Sequence, residues 1–210
     1  MLNNGFGEHR IEGIGDRRIP WIHNVRNTDI IIGIDDSDVI NIFNLFNSVA
    51  GREYLNSKIG LNDEYMKNLN YIGLSSIANI ISAIKFSKYY ELSDNDIILT
   101  VLTDSSDLYQ SRLREKAMCD NNVNDTFSKA TLAYHKSLIG QKTDYIEELT
   151  YRSKKRIHNL KYFTWIEQHG FYENELNAQW YDYSDYWGDI HSVVDELDRL
   201  IMNFNNSILG

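Results

Sequence analysis

The sequence predicts an α/β fold followed by a mostly helical carboxyl extension, and three stretches carry that expectation. The first is Asn70-Tyr-Ile-Gly-Leu-Ser-Ser-Ile-Ala-Asn79, which opens a helix. Gly73 offers a break where the backbone can approach a ligand closely, and Ser75 and Ser76 are good N-cap residues. Ile77, Ile80, Ile81 and Ile84 then recur at i, i+3, i+4 and i+7, which gives one core face and a helix to about Tyr90. The second stretch is Ile97-Ile-Leu-Thr-Val-Leu102, a near-continuous apolar run of the kind buried on both faces of a parallel sheet. The third is Asp29-Ile-Ile-Ile-Gly-Ile34, a short apolar strand. A helix feeding a buried strand is half of a βαβ unit, and the loop before that helix lies where α/β sheets bind ligands.

The remaining elements follow from local chemistry. Residues 7–20 hold three glycines and the only proline, and read as loop. Within them Gly13 and Gly15 allow a close backbone approach to something flat. Asp35-Asp-Ser-Asp38 ends the first strand and offers carboxylate caps to a helix carrying Val39, Ile42, Phe43, Leu45 and Phe46, which should close near Ala50-Gly51. The acids lack the spaced oxygen ligands and turn glycine of a calcium loop, so a solvated helix N-terminus is expected. From about Leu113 onward the pattern is helical, with polar breaks at residues 120–122 and 140–143. Lys154-Lys-Arg156 and Lys161 are expected on a solvated helix face. Residues 162–169 and 175–187 concentrate aromatics and three of the four tryptophans, a density that buries a tail against its own domain or a partner chain.

Composition narrows the function classes. With 30 acidic against 21 basic side chains in 210 residues, net charge −9, nucleic-acid and anionic-membrane partners are disfavoured. The single cysteine, Cys119, has no internal partner and fits a reduced, cytoplasmic thiol without catalytic duty. The six histidines show no i, i+4 pair with a nearby carboxylate, so no metal site is expected. The amino-terminal residues lack a basic region followed by an apolar one, and no stretch is long enough to span a bilayer. A soluble cytoplasmic protein is the expectation.

Several of these stretches together resemble the cysteine synthase-like family, the fold-type II enzymes that use pyridoxal phosphate. Gly73-Leu-Ser-Ser-Ile-Ala is similar to the family's Gly-x-Ser-Ser-Gly-Ala element, with Ile77 in place of the second glycine. His9, Ile11, Gly13, Ile14, Gly15, Ile19 and Pro20 match its His-Lys-Ile-Gln-Gly-Ile-Gly-x-x-x-Ile-Pro stretch. In the loop that starts at Thr103, Ser105, Tyr109 and Ser111 match its Pro-Ser-Ser-Gly-Glu-Arg-Tyr-Leu-Ser, while Thr103 replaces the proline and Asp104 the first serine. His158-Asn-Leu-Lys-Tyr-Phe-Thr-Trp165 and Glu175-Leu-Asn-Ala-Gln-Trp-Tyr-Asp182 look like the carboxyl extension of a bacterial subgroup labelled a pyridoxal-phosphate-dependent protein, beta subunit.

The resemblance implies cofactor-binding roles for Gly13 and Gly15 beside the ring, Ser75 at the pyridine nitrogen and Ser105 nearby; whether Asp104 reaches the cofactor stays open. It implies the carboxyl half of a pyridoxal-phosphate domain over residues 1–112 and a helical, aromatic-rich extension over 113–210. The family's Schiff-base lysine and glycine-rich phosphate loop precede the segment with which this chain begins, and neither has a counterpart here. No catalytic residue is therefore assigned. Two functions are expected as alternatives. One is a subunit or fragment that completes a cleft with an amino-terminal half, in a homo- or hetero-oligomer, for β-elimination or β-replacement on an amino acid. The other is a non-catalytic remnant acting as a binding or regulatory module.

Overall fold

A computed structural model describes residues 8–11, 18–109, 111 and 126–209; Gly13, Gly15 and Cys119 lie outside the described residues. The described chain is predominantly helical, with one small sheet. Three consecutive isoleucines form β1 (Ile30–Ile32), which pairs antiparallel with β2 (Ile146–Glu148), Ile31 opposite Glu147. The pairing extends by one bond at each end, from Gly33 N to Tyr145 O and from Leu149 N to Asp29 O, both 2.8 Å. The expected strand at residues 97–102 does not join this sheet. It runs as unassigned backbone, and an apolar run without a neighbouring strand has nothing to pair with.

Helix α1 (Asp36–Asn47) begins as expected, with the Asp35 carboxylate accepting the Ser37 N–H at 2.8 Å. It buries Val39, Ile42, Phe43, Leu45 and Phe46. Its end differs from the expected Ala50-Gly51. Ser48 is extended and its hydroxyl accepts the Gly51 N–H at 3.1 Å, so α1 stops and α2 (Val49–Tyr54) starts with Gly51 inside it. A Cβ on Gly51 would lie 2.2 Å from Leu45 O, so only glycine fits where the two helices meet. A π-helical turn (Leu55–Ile59), closed by Gly60 at φ +79°, leads to α3 (Asp63–Asn68) and then α4 (Leu74–Tyr89). Helix α5 (Thr126–Leu132) and the π-helical segment after it (Ala133–Ile139) complete the main core, where Leu45, Tyr54, Leu74, Ile77, Ile81 and Ala133 meet.

A second, smaller core joins the start of the chain to its later helices. Ile19 and Val25 pack with Ile157 of α6 (Tyr151–Lys161). Trp21 packs against Phe171 at 4.8 Å in a tilted contact and meets Trp165 edge-on at 6.3 Å between ring centres. The Trp165 indole donates to Ile19 O at 2.7 Å. Helix α7 (Glu173–Tyr181) buries Trp180, and α8 (Tyr183–Ser192) buries Trp187, so the aromatic stretch closes over residues 19–28 of its own chain. A last helix, α9 (Val194–Leu209), follows. Among the described residues no helix is long and apolar enough to cross a membrane.

Candidate functional site

Helix α4 starts two residues earlier than a cap at Ser75 implies. Gly73 is its N-cap, and Ser75 and Ser76 sit inside the first turn, fully buried. Their hydroxyls turn away from the capping role because the loop following residues 97–102 folds over the helix start. Gly73 N donates to Asp104 O at 3.0 Å, and Thr103 N donates to the Ser76 hydroxyl at 3.1 Å. Asn79, one turn further along, donates its amide to Val101 O at 2.8 Å. These three bonds moor the carboxyl end of the extended segment to the first two turns of α4.

The Asp104 carboxylate is the centre of the cluster. Oδ1 accepts from Ser75 at 3.0 Å and from Ser76 at 3.2 Å, and Oδ2 accepts from the Tyr109 hydroxyl. Ser75 also bonds the Thr103 hydroxyl. Tyr109 is held edge-on against Phe43 of α1 at 5.8 Å, which fixes the phenol on the carboxylate. A Cβ at residue 73 would stand 2.3 Å from Asp104 Oδ1, so what comes close to Gly73 is this side chain of the same chain, where the sequence suggested a ligand. Ser105 follows directly, half-buried, and its carbonyl accepts Leu108 N–H at 3.4 Å. The Ser106 hydroxyl ties the same turn to Asn70 O at 3.0 Å.

Two predicted positions, Ser75 and Ser105, are thus brought to one loop-helix junction. Thr103, Asp104 and Tyr109 complete it, and Asp104 rather than Ser75 organises it. The spacing held a signal for this: a loop returning at the end of an apolar run meets the small residue before the helix it packs on. Chemically, the junction is a carboxylate buttressed by four hydroxyls, those of Ser75, Ser76, Thr103 and Tyr109, half-buried at Asp104 and open at Thr103. By themselves these residues do not fit pyridoxal phosphate, since Ser75 is sealed from solvent with its hydroxyl already bonded, and no amino group belongs to the cluster. Lys85, further along α4, is engaged by Asp144 at 2.9 Å and Gly33 O at 3.2 Å. No group of three or more His, Cys, Asp or Glu among the described residues could hold a metal ion.

A second buried polar centre lies under the aromatic stretch, and it corrects the expectation of a solvated face at Lys161. That side chain is fully buried, its ammonium donating to Trp21 O at 2.8 Å, His23 O at 2.7 Å and Gln179 Oε1 at 2.8 Å. Burial without a carboxylate partner among these contacts lowers its pKa to about 7. One turn earlier His158 bonds Leu176 O at 3.0 Å, and burial together with the nearby Lys161 charge lowers it to about 4. The signal was in the sequence: Lys161 lies four residues after Ile157, on the same helix face as a core residue. Lys154 does stay near the surface, reaching Arg26 O at 2.9 Å and Asp29 at 3.0 Å. Compared with protein-family models, with curated proteins and with solved structures, the chain finds no match in any of the three.

Proposed function

We propose that this chain is the carboxyl half of a cysteine synthase-like, fold-type II enzyme that acts on amino acids by β-elimination or β-replacement with pyridoxal phosphate. In this reading it works only with an amino-terminal half or subunit that carries the lysine and the phosphate loop. The observation that supports it is the meeting of two family-like stretches at the Asp104 junction; with Ser75 sealed, that junction would shape the cleft wall in this reading and leave the cofactor to be held elsewhere. Two stretches that resemble separate elements of that family, Gly73-Leu-Ser-Ser and the loop from Thr103, lie 28 residues apart between Ser75 and Thr103 and share hydrogen bonds. The state of residues 97–102 supports it too. Ile97 and Leu99 are 95% and 94% exposed, and apolar surface in water costs about 25 cal/mol per Å2, so this run calls for strands from elsewhere to complete a parallel sheet. The chain would then supply a wall of the cleft, and the partner the reactive amino group.

A second reading, a non-catalytic binding or regulatory module, is favoured by the sealed Ser75 hydroxyl. One pair of experiments separates the two. Purified chain treated with pyridoxal phosphate and borohydride should give no stoichiometric adduct on peptide mapping, because the covalent imine and backbone phosphate contacts that dominate affinity are missing. Co-expressed with a neighbouring reading frame that holds the lysine and glycine-rich loop, the chain should co-purify as a cofactor-bearing complex that consumes an amino acid. A specific adduct on Lys85 or Lys161 of the chain alone would overturn the half-enzyme reading. A stable pair that takes up no cofactor would favour the module.

A further inference from the structure

Helix α9 has an apolar stripe that the rest of the molecule leaves uncovered. Every residue from Gly188 to Ile208 is exposed. An isolated helix of about 15 residues is marginal in water, and helices of this length owe their stability to packing of an apolar face. The stripe is Val194, Leu197, Ile201, Phe204 and Ile208, spaced 3, 4, 3 and 4, between 42% and 64% exposed. Over these 15 residues the five side chains share one face, a surface on which a partner helix can pack, since a straight helix drifts only about 40° from a seven-residue repeat over two heptads.

We propose that α9 is a dimerisation helix, pairing in parallel with α9 of a second copy of this chain. The occupant follows from the residue types. Val194, Ile201 and Ile208 fall at the first core position of the heptad and Leu197 and Phe204 at the fourth; β-branched residues at the first with Leu at the fourth favour two parallel strands. Charge agrees: Asp195, Glu196, Asp198 and Arg199 all lie off the seam, and Arg199 is already paired with Glu196 at 2.9 Å, so two copies meet without opposing like charges in the core. Area agrees as well. With Val193 and Leu200 at its border, complete burial of the stripe in two copies would remove at most roughly 1,300 Å2 from water, at the lower edge of specific interfaces. A membrane surface fits less well, because three acids against one arginine oppose an anionic bilayer. The inference is independent of the catalytic reading.

Sedimentation and light scattering of the full chain test it. Wild type should sediment as two chains, and Ile201→Asp as one, with unchanged melting of the remaining fold since no α9 side chain enters either core. In a Cys119→Ser background, Val194→Cys should cross-link to its own copy under mild oxidation. A wild type that stays monomeric at high micromolar concentration overturns the proposal, whether or not it floats with phosphatidylcholine–phosphatidylserine vesicles. A dimer that survives Ile201→Asp overturns it by placing the interface elsewhere. Val194→Cys that links only to Ile208→Cys in a mixed sample overturns the parallel arrangement.

Discussion

Gly73 is required by space and not by dihedral freedom, since its φ of −86° suits any residue. A methyl group there meets the Asp104 carboxylate and the Tyr109 ring, so Gly73→Ala should force the loop off α4 at a cost of about 1–3 kcal/mol, read as a lower midpoint in urea. Lys161 is a test of a different kind. Its folded pKa of about 7 lies below the ordinary lysine value of 10.5, so between those two pH values the unfolded chain binds a proton that the folded chain does not. Stability should therefore climb over that window. Lys161→Met should flatten the climb while lowering stability overall, because Trp21 O, His23 O and Gln179 Oε1 each lose a donor. His158 works in the same direction at lower pH, its contribution fading as pH falls from 6.5 towards 4. Urea midpoints measured across pH in wild type and variants check both signs.

Among elements, those set by local side-chain chemistry were legible in the sequence. The Asp35 cap of α1 emerges from side-chain chemistry and β1 from its three isoleucines. Of the expected α4 stripe, Ile77 and Ile81 are buried and Ile80 and Ile84 only partly so; the buried face runs instead through Leu74, Ile77, Ile81 and Lys85. Pairing was less legible, because an apolar run states that it wants cover without stating which strand provides it: β1 pairs with Ile146–Glu148, a stretch with two glutamates that periodicity does not flag. The cap at Ser75 was also misplaced, for a tertiary reason: hydroxyls that serve a helix end in isolation serve a carboxylate when a loop brings one within 3.0 Å. Tail packing is the element-scale quantity open to measurement. Trp180 is 4% exposed, faces the Lys155 ammonium at 4.6 Å and packs against the His158 ring at 5.2 Å between centres. Trp180→Ala should cost about 3–5 kcal/mol and loosen residues 19–28 together with α6 and α7, visible as loss of near-ultraviolet dichroism.

At the scale of the molecule, the run at residues 97–102 and the stripe on α9 are exposed apolar surfaces among the described residues, on a chain of net charge −9. The first of them has a hazard built into it. Six successive residues that are apolar or β-branched, without charge or proline, have the composition of a steric zipper, in which identical segments stack about 4.8 Å apart. Asp94 and Asp96 stand just before the run and Asp104 and Asp107 just after it. Stacked in register, every one of these carboxylates would face its own copies, charge on charge, at both ends of the segment. Acids flanking an apolar run in this way oppose its in-register stacking.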